Sequence, residues 1–429
     1  MIKCRNCNSK DLKKVIFIGK QVVSSIFPSK KINNKKKYSL DLYECQKCKL
    51  VQLGKSIPLG NMYGETYGYR SSLSKLMVNH LHDKFKKLKR ILNLKKYSNI
   101  LDIGSSDSTF LNFFSNEKKG YRCLGIDPSA KKYLKYYNKD VNLVVDYFSA
   151  KSVLKKLNNL NFKNKKFKLI SSFAMFYDID DPNAFCKDIS SLLENDGLWV
   201  LEMSYFPMLL SNLTYDQICH EHVTYYTLSV FKKIIEKNGL KLIDFSFNII
   251  NGGSIEIICA PDKSKIKPKF NKINKQLEIE NSISSNDYNK FNLRVDNIKN
   301  TTNLLLKNIK KAKKKIVGYG AATKGNIVLN HCDIGSDKVP LICDENEEKF
   351  SRFTPGSNIK IISKKQMRKI NPDYLLVLIW SFKSEVIKQE LSYIKKGGKL
   401  IFHLPFLHVV DKNNYKNHLK ENFEAFSYK

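Results

Sequence analysis

The chain has 429 residues, of which 42% are apolar, and this is enough to bury the cores of two or three domains. Its formal net charge of +35 comes from 68 Lys and only seven Arg. Because Arg is the residue that reads guanine edges and clamps phosphates, scattered Lys disfavour direct nucleic-acid binding, although they would attract anionic substrates. No run of 18 apolar residues is present, which argues against a helix that spans a membrane.

The first 60 residues contain two cysteine pairs with metal-ligand spacing. Cys4 and Cys7 are two residues apart, and after 37 further residues Cys45 and Cys48 repeat that spacing. Two such knuckles complete a closed tetrahedral site without an open position, so we expect structural zinc. Strands are predicted between the pairs, at 15–18 and 38–43. Free thiols, and no signal-peptide core before Cys4, indicate a reducing, cytoplasmic location.

Residues 98–260 alternate strands with helices, which predicts a mostly parallel, doubly wound α/β sheet. A Tyr- and Gly-rich loop at 63–71 precedes it. A turn is predicted at Asn195-Asp196-Gly197. The predicted helices are 73–92, 110–117 and 182–193, and the predicted strands are 98–103, 122–126, 143–145, 169–173, 197–203, 241–248 and 254–260.

The first strand of this unit ends in a glycine turn that predicts a nucleotide-like cofactor. Asp102 lies two residues before Gly104, and a second acid, Asp127, ends the next strand. The turn lacks the G-x-G-x-x-G pattern that a pyrophosphate needs, and Asp102 lies where a cationic amino-acid group would bind. S-adenosylmethionine (AdoMet) therefore fits better than NAD, and an α/β domain without a cofactor is the alternative. The predicted cofactor-binding residues are Asp102, Gly104, Ser106 and Asp127.

The remainder of the chain is predicted to contain a connector and a second α/β unit. Residues 261–315 are rich in Lys and Asn and show helical spacing. From 316 a strand leads into a second glycine turn, Gly318 to Gly325, and further strands are predicted at 341–344, 374–380 and 399–402. For this turn, with Lys324 as its cation, helix packing or a substrate diphosphate is favoured over a second dinucleotide. The predicted domains are 1–70, 71–260 and 316–429, with the connector between the last two.

The segment Tyr215 to Tyr226 concentrates groups that move protons near neutral pH. His220 and His222 are two residues apart, not the four of a zinc-protease helix, because position 224 is Thr. A metalloprotease is therefore disfavoured. The alternative interpretation is a polar strand-to-helix loop with a hydrogen-bonded His.

Together these segments resemble a known family, the three-domain, zinc-containing sugar-nucleotide C-methyltransferases. The resemblance spans nearly the whole chain. It rests on the two cysteine pairs and on the following motifs: Tyr67-Gly68-Tyr69-Arg70-Ser71, Asp102-Ile103-Gly104-Ser105, Gly125-Ile126-Asp127-Pro128-Ser129, Tyr215-Asp216, His220-Glu221-His222 with Tyr225, Asn251-Gly252-Gly253-Ser254, Gly318-Tyr319-Gly320-Ala321 and Phe353-Thr354-Pro355-Gly356.

The resemblance implies methyl transfer from AdoMet to a carbon beside the ketone of a nucleotide-linked 4-keto-deoxysugar. It implies a zinc module and two Rossmann-like α/β domains, the middle one of the class I methyltransferase type, around one cleft. Removing the proton and stabilising the enolate need a base and hydrogen-bond donors. We expect His222 as the base or its relay, Glu221 as its orienter or an alternative base, and Tyr67 or Tyr69 near the sugar. His220 is expected to be structural.

Four residues depart from the family pattern. They bear on the methyl-donor turn at residues 104–108, called the donor turn below, and on which sugar is bound. Ser106 and Ser108 replace an Asn and a Gly in the donor turn, Cys219 replaces a Tyr, and Tyr177 replaces a His. The Gly252-Gly253 pair is expected either to let the protein backbone approach the substrate or to form a simple bulge at the start of a strand.

Three other functions remain open. They are a zinc-ribbon RNA methyltransferase, a nucleotide-sugar oxidoreductase that uses the second glycine turn, and a zinc-dependent assembly scaffold. For the favoured function we expect a cytoplasmic monomer that contributes to cell-surface polysaccharide, with a nucleotide sugar as substrate and neither nucleic acid nor membrane as a partner.

Overall fold

The computed structural model describes residues 2–33, 35–57, 70–160 and 164–420. In this part of the chain, three larger sheets and one two-stranded sheet are present. The fold class is the predicted one, with a small N-terminal module followed by two α/β units. None of the helices in these residues combines the length and the apolar character that crossing a bilayer requires.

The N-terminal module has a small antiparallel sheet in the order β1-β4-β5-β11, and β2 pairs with β3. The strand predicted over 38–43 is divided in two, because the chain changes sheets at Asp41, whose carboxylate accepts a 2.8 Å hydrogen bond from the N–H of Gly19. The strand predicted at 15–18 begins and ends earlier in the chain, at Leu12–Ile16. The strands are β1 (Leu12–Ile16), β2 (Lys20–Gln21), β3 (Tyr38–Ser39), β4 (Leu42–Cys45) and β5 (Val51–Leu53).

The middle unit is a seven-stranded sheet in the order β12-β13-β10-β9-β6-β7-β8. Strands β10, β9, β6, β7 and β8 are parallel, whereas β13 is antiparallel to both β10 and β12. Its elements are α1 (Lys75–Ile91), β6 (Asn99–Ile103), α2 (Thr109–Ser115), β7 (Arg122–Ile126), β8 (Val141–Val144), α3 (Ala150–Asn159), β9 (Phe167–Phe173), α4 (Pro182–Leu192), β10 (Leu193–Ser204), α5 (Phe206–Ser211), β11 (Thr224–Tyr225), α6 (Leu228–Lys237), β12 (Leu240–Asn248) and β13 (Ser254–Pro261).

Two helices of this unit, α1 and α4, begin at side-chain caps. Ser74 accepts a hydrogen bond from the N–H of Met77 at the start of α1, and Asp181 caps α4, whose first residue is Pro182. The prediction of a turn at Asn195-Asp196-Gly197 is wrong. Strand β10 already begins at Leu193, and these three residues lie where its pairing with β9 is irregular. A Cβ on Gly197 would lie 2.7 Å from the Phe167 carbonyl oxygen, so this glycine serves a close strand approach.

The connector forms two helices, α7 (Phe270–Asn281) and α8 (Ser285–Lys311), as the sequence predicts. Helix α8 packs against the N-terminal sheet. Asn292 donates a 3.0 Å hydrogen bond to the Val15 carbonyl, and the Tyr288 hydroxyl donates one of 2.7 Å to Glu44. The connector therefore holds the zinc module against the rest of the molecule.

The C-terminal unit is a six-stranded sheet in the order β16-β15-β14-β17-β18-β19, parallel except for β19. The strand predicted at 374–380 ends at Val377, and Trp380 begins a 3-10 turn. Its elements are β14 (Ile316–Tyr319), α9 (Thr323–His331), β15 (Leu341–Asp344), β16 (Lys360–Ser363), α10 (Lys364–Ile370), β17 (Tyr374–Val377), α11 (Lys383–Gln389), α12 (Leu391–Lys395), β18 (Lys399–Phe402), β19 (His408–Val410) and α13 (Tyr415–Lys420).

One apolar core joins parts of the molecule that are far apart in sequence. It continues from the C-terminal sheet through α8 to residues of β1 and β4, and it includes Tyr215, Ile218 and Val223 of the loop before β11. This loop is therefore held between the N-terminal and C-terminal units.

Candidate active site

Four thiols come together beside the N-terminal sheet. The Sγ atoms of Cys4 and Cys48 lie 3.4 Å apart, those of Cys7 and Cys45 lie 3.6 Å apart, and all four lie within 4.8 Å of one another. A hydrogen bond from Cys4 lowers the pKa of the Cys48 thiol to about 5, which favours the thiolate that zinc binds. The donor set fits a closed tetrahedral zinc site.

Each cysteine pair is followed by a residue with a left-handed backbone, Asn8 at φ 59° and Lys49 at φ 64°. The N–H of Asn8 donates to the Cys4 carbonyl at 2.9 Å, and that of Lys49 donates to the Cys45 carbonyl at 2.8 Å. These equivalent turns bring both thiols of each pair to the same place.

The zinc module is joined directly to the loop at residues 215–226. Within the first cysteine pair, the N–H of Arg5 donates to the Gln52 side chain at 2.8 Å, and its guanidinium donates to the Leu53 carbonyl at 2.6 Å. Gln52 pairs with Thr224 of β11, and the N–H of Leu53 donates to the Val223 carbonyl at 2.9 Å. The segment that follows His222 is therefore an edge strand of the zinc module's sheet.

The turn after β6, residues 104–108, contains Gly104 and Ser106, and the other two predicted cofactor residues, Asp102 and Asp127, lie beside it at the ends of β6 and β7. One oxygen of Asp102 accepts a 2.6 Å hydrogen bond from the Ser171 hydroxyl, and its second oxygen accepts none from the described residues. Burial raises the pKa of Asp102 to about 7. A buried carboxylate with one open oxygen is suited to a cationic ligand group.

The same turn is tied to the next strand by Asp127. Its carboxylate accepts a 2.9 Å hydrogen bond from the N–H of Ser106. Gly104 has φ 75°, and a Cβ there would lie 3.3 Å from the Met175 side chain. The structure therefore brings all four predicted cofactor residues together at the carboxyl end of the sheet, where doubly wound folds bind ligands.

Two of the departures from the family pattern fall on strained backbone. Ser106 has φ 47° and Ser108 has φ 62°, at the positions where the pattern has Asn and Gly. Asn and Gly tolerate left-handed backbone better than Ser does. Ser108 is fully buried and its hydroxyl donates to the Asn112 side chain at 2.9 Å, a local hydrogen bond that offsets part of this strain.

The imidazole of His222, the predicted base, is buried against the ring of Tyr177, with 3.9 Å between ring centroids. Burial and the ammonium group of Lys324 lower the pKa of His222 to about 3. The imidazole is therefore neutral near pH 7. Its Nδ1 has no hydrogen-bond partner among the described residues, so this nitrogen is available to a ligand.

The neighbours of His222 have different surroundings. Nε2 of His220 lies 3.5 Å from the Tyr38 carbonyl oxygen, a contact with the zinc module that suits the predicted structural role. Both carboxylate oxygens of Glu221 are buried and without hydrogen-bond partners in the described part of the chain. Glu221 thus makes no orienting hydrogen bond to either imidazole, which leaves its alternative role as a base.

The C-terminal unit contacts the loop from the opposite side. The indole N–H of Trp380 donates a 2.8 Å hydrogen bond to Asp216, and the Tyr215 hydroxyl lies 3.6 Å from Sγ of Cys332. Burial raises the pKa of Asp216 to about 6, while the nearby Lys324 opposes that rise. Lys324, in the first turn of α9, forms no ion pair with any described residue, and burial lowers the pKa of its ammonium group while Asp216 opposes that fall.

The segment before β13 closes tightly on Trp380. Gly252 has φ 87°, and a Cβ there would lie 2.6 Å from the indole ring. Asn251 has φ 57°, and its carbonyl accepts a hydrogen bond from Gln217. The close approach that requires glycine at position 252 is thus made to a side chain of the C-terminal unit.

The second glycine turn, after β14, is closed by apolar side chains. A Cβ on Gly320 would lie 2.7 Å from Ile379, and a Cβ on Gly325 would lie 2.8 Å from Leu378. The ammonium group of Lys349 donates a 2.9 Å hydrogen bond to the Ala321 carbonyl. These contacts support the helix-packing interpretation of this turn.

Two predicted residues, Tyr67 and Tyr69, lie outside the described residues. Sequence reasoning missed the contact of Trp380 with Asp216 and the placement of Lys324 against His222. The sequence offered Lys324 only as a possible phosphate ligand of its own turn, and no local pattern links positions that are more than 100 residues apart.

Comparison with known proteins gives matches in the same order as these units. A zinc-binding domain matches residues 4–63, a methyltransferase domain matches residues 77–244, and a C-methyltransferase C-terminal domain matches residues 249–405. The chain is 25% identical to C-methyltransferase NovU of Streptomyces niveus over 407 residues, 94% of this chain and 95% of NovU.

Solved methyltransferase structures resemble part of the chain. Plantazolicin methyltransferase BpumL is 14% identical with a TM-score of 0.35, over 48% of this chain and 91% of BpumL. The methyltransferase bound to the Haloferax volcanii activator Trm112 is 13% identical with a TM-score of 0.34, over 44% of this chain and 94% of the other. The domain matches confirm the predicted methyltransferase, its AdoMet cofactor and its zinc-binding module.

Proposed function

We propose that this chain, which belongs to the zinc-containing, AdoMet-dependent C-methyltransferases, methylates a carbon beside the ketone of a nucleotide-linked deoxysugar. The residue motifs that resemble sugar-nucleotide C-methyltransferases supply the substrate class. The loop at residues 215–226, held between the N-terminal and C-terminal units, supplies groups that this chemistry needs.

The observation that carries the proposal is the set of buried polar atoms on this loop that lack partners. Buried polar groups are normally hydrogen-bonded, so several unpartnered ones in one place indicate a polar ligand. Lys324, which forms no ion pair with any described residue, lies beside the same loop. The atoms without a partner among the described residues include Oδ1 of Asp216, both carboxylate oxygens of Glu221, Nδ1 of His222 and the hydroxyl of Tyr225.

His222 is proposed as the base. Its neutral imidazole takes the proton from the carbon beside the ketone, and the electron pair of that C–H bond moves to the carbonyl oxygen as an enolate. A positive charge on Lys324 beside His222 stabilises the enolate oxygen as it forms, and the same charge makes the imidazole a weaker base. Glu221 is the alternative base, and Tyr67 or Tyr69 is proposed near the sugar.

The cofactor is proposed to lie over the turn after β6, held by Asp102, Gly104, Ser106 and Asp127. When bound there, AdoMet supplies an electrophilic methyl group for the carbon nucleophile. The chain's own residues orient that group and exclude water, since the turn lies at the same edge of the sheet as the loop.

We further propose a cytoplasmic location and a role in cell-surface polysaccharide. All ten Cys residues are free thiols, which supports a reducing compartment. The prediction of a monomer stays a prediction.

The proposal is tested by incubating the protein with methyl-labelled AdoMet and a panel of dTDP-, GDP- and CDP-linked 4-keto sugars. We expect labelled methyl on the carbon beside the ketone, located by NMR. Methyl on oxygen or nitrogen would contradict the enolate mechanism. Salt-sensitive methylation of RNA with no sugar-nucleotide dependence would instead support the RNA methyltransferase alternative.

The role of His222 is tested with His222→Asn, and His220→Asn is the matched control. We expect His222→Asn to lower transfer at least a hundredfold, in the range of general-base removal, while AdoMet affinity persists. It should also abolish deuterium exchange at the reacting carbon. His220→Asn should retain both. Loss of AdoMet binding in His222→Asn would place this residue in the cofactor site.

A further inference from the structure

A buried charge cluster lies on the side of the middle sheet that α1 covers. Glu202 of β10 and Glu256 of β13 are paired in register on adjacent strands. The ammonium group of Lys84 lies 2.7 Å from Glu202 and also contacts Glu256, which Lys87 contacts as well. The two carboxylates and two ammonium groups balance, so the cluster needs no fifth charge.

His80 of α1 joins this cluster through Glu202. Its Nε2 lies 2.9 and 3.0 Å from the two carboxylate oxygens of Glu202, and Asn248 donates a further 2.6 Å hydrogen bond to that carboxylate. A neutral imidazole that donates its Nε2 proton to Glu202 keeps a lone pair on Nδ1. No described residue donates to Nδ1, and the side chain is 18% exposed.

The cluster lies near the carboxyl ends of the parallel strands, on the same side of the sheet as the donor turn. Asp102 is level with Ser171 of β9, and Glu202 is level with Phe173, two residues further along. Asp102 and Glu202 therefore lie on the same face of the sheet, with their Cα atoms about 12 Å apart from the usual strand spacing and rise.

Helix α1 begins over the donor turn, because the N–H of Ser72, just before the helix, donates a 3.0 Å hydrogen bond to Asp107 of that turn. His80 lies less than two helical turns after the start of α1 and is fixed to Glu202. An ammonium group between Nδ1 of His80 and the open oxygen of Asp102 would make one hydrogen bond of about 3 Å to each.

We propose that His80, oriented by Glu202, accepts a hydrogen bond from the α-ammonium group of AdoMet and so binds the amino-acid end of the cofactor together with Asp102. The ammonium group has three N–H donors, so it has one for each residue and a third for backbone or water. The proposal depends on AdoMet use but not on the sugar substrate.

The test compares two variants that each keep one nitrogen position of the imidazole. In His80→Gln, the amide can still donate to Glu202, but the acceptor at the Nδ1 position is lost. Calorimetric titration with S-adenosylhomocysteine and with 5′-methylthioadenosine, which lacks the amino-acid end, separates the two ends of the ligand. We expect His80→Gln to weaken S-adenosylhomocysteine about tenfold or more and to leave 5′-methylthioadenosine unchanged.

His80→Asn places an acceptor near the Nδ1 position and gives up the contact with Glu202, so it should weaken S-adenosylhomocysteine less than His80→Gln. Lys87→Ala is the control, because it perturbs Glu256 without touching His80. Unchanged S-adenosylhomocysteine affinity in His80→Gln would overturn the proposal. So would an equal loss for both ligands, since that outcome indicates a structural role of the cluster.

Discussion

The turn after β6 and the turn after β14 share a parallel strand, a positive-φ glycine and a helix, with Gly104 at φ 75° and Gly320 at φ 87°. At the first turn, a Cβ would approach only the Met175 side chain, and the preceding Asp102 keeps one oxygen open. At the second, Gly318 stands at the position that corresponds to Asp102, two residues before Gly320, and a Cβ on Gly320 would lie 2.7 Å from Ile379. The acids that end the next strands, Asp127 and Asp344, are both hydrogen-bonded within their own loops.

The comparison shows that the strand-turn-helix layout does not by itself make a ligand site. What separates the two turns is the state of their polar groups. Beside the first turn, one carboxylate oxygen of Asp102 has no hydrogen bond from the described residues and can meet a ligand. At the second turn, the glycines pack closely against the residues that follow β17.

Replacement of Asp102 in β6, compared with replacement of Asp344 at the end of β15, gives the largest expected difference. Asp102→Asn should weaken AdoMet binding ten- to hundredfold, because it removes a charged hydrogen-bond acceptor from a buried site. Asp344→Asn should change AdoMet affinity less than twofold. Isothermal titration of both variants measures this, and equal losses would show that the two turns do not differ as described.

Gly320→Ala should act on stability and not on the cofactor. A left-handed Ala that also meets Ile379 should lower the free energy of unfolding by about 2 kcal/mol. Denaturant unfolding monitors the loss, while AdoMet affinity of the folded fraction should match the parent protein. If the parent protein bound NADH and Gly320→Ala abolished that binding, the second turn would instead be a cofactor site.

The pH dependence of AdoMet binding sharpens the same comparison. Since the pKa of Asp102 is raised to about 7, its proton must leave before the carboxylate meets a cation, and affinity should rise about tenfold from pH 6 to pH 8. In the same protein without ligand, the folded state holds a proton that the unfolded state releases between about pH 4 and pH 7. Its free energy of unfolding should therefore fall over that window.

Asp102→Asn is the control for both pH effects. It should flatten the affinity profile and make the free protein more stable above pH 7 than the parent. An unchanged slope in this variant would assign the titration to another group.

Ser108→Gly should give the smallest effect. Glycine relieves left-handed strain of about 1–2 kcal/mol but gives up the hydrogen bond to Asn112 and adds freedom to the unfolded chain. We expect a net gain of about 0.5 kcal/mol, measured as a shift of the denaturant midpoint at constant slope. A destabilised variant would show that the hydroxyl contact outweighs the strain.

Most of the architecture was predictable because local patterns dictate it. Apolar strand runs, helical spacing and the cysteine spacing each act over a few residues. The division of 38–43 into two strands was not predictable, because it depends on Asp41 reaching back to Gly19. The bulge at Gly197 was mistaken for a turn for a similar reason: the carbonyl it approaches belongs to another strand.

The candidate site was predictable in its parts and not in its assembly. The roles of His222, Glu221 and the two tyrosines stay predictions. The pairing of Trp380 with Asp216 and the position of Lys324 depend on how two α/β units dock, and no periodicity in the sequence encodes that docking.

The loop that contains His222 is fastened on one side by Gln52 and on the other by Trp380, so its two anchors come from opposite ends of the chain. During synthesis the middle sheet can form long before position 380 leaves the ribosome. An unfinished chain would then have the turn after β6 but not the indole ring that fastens the loop on its second side.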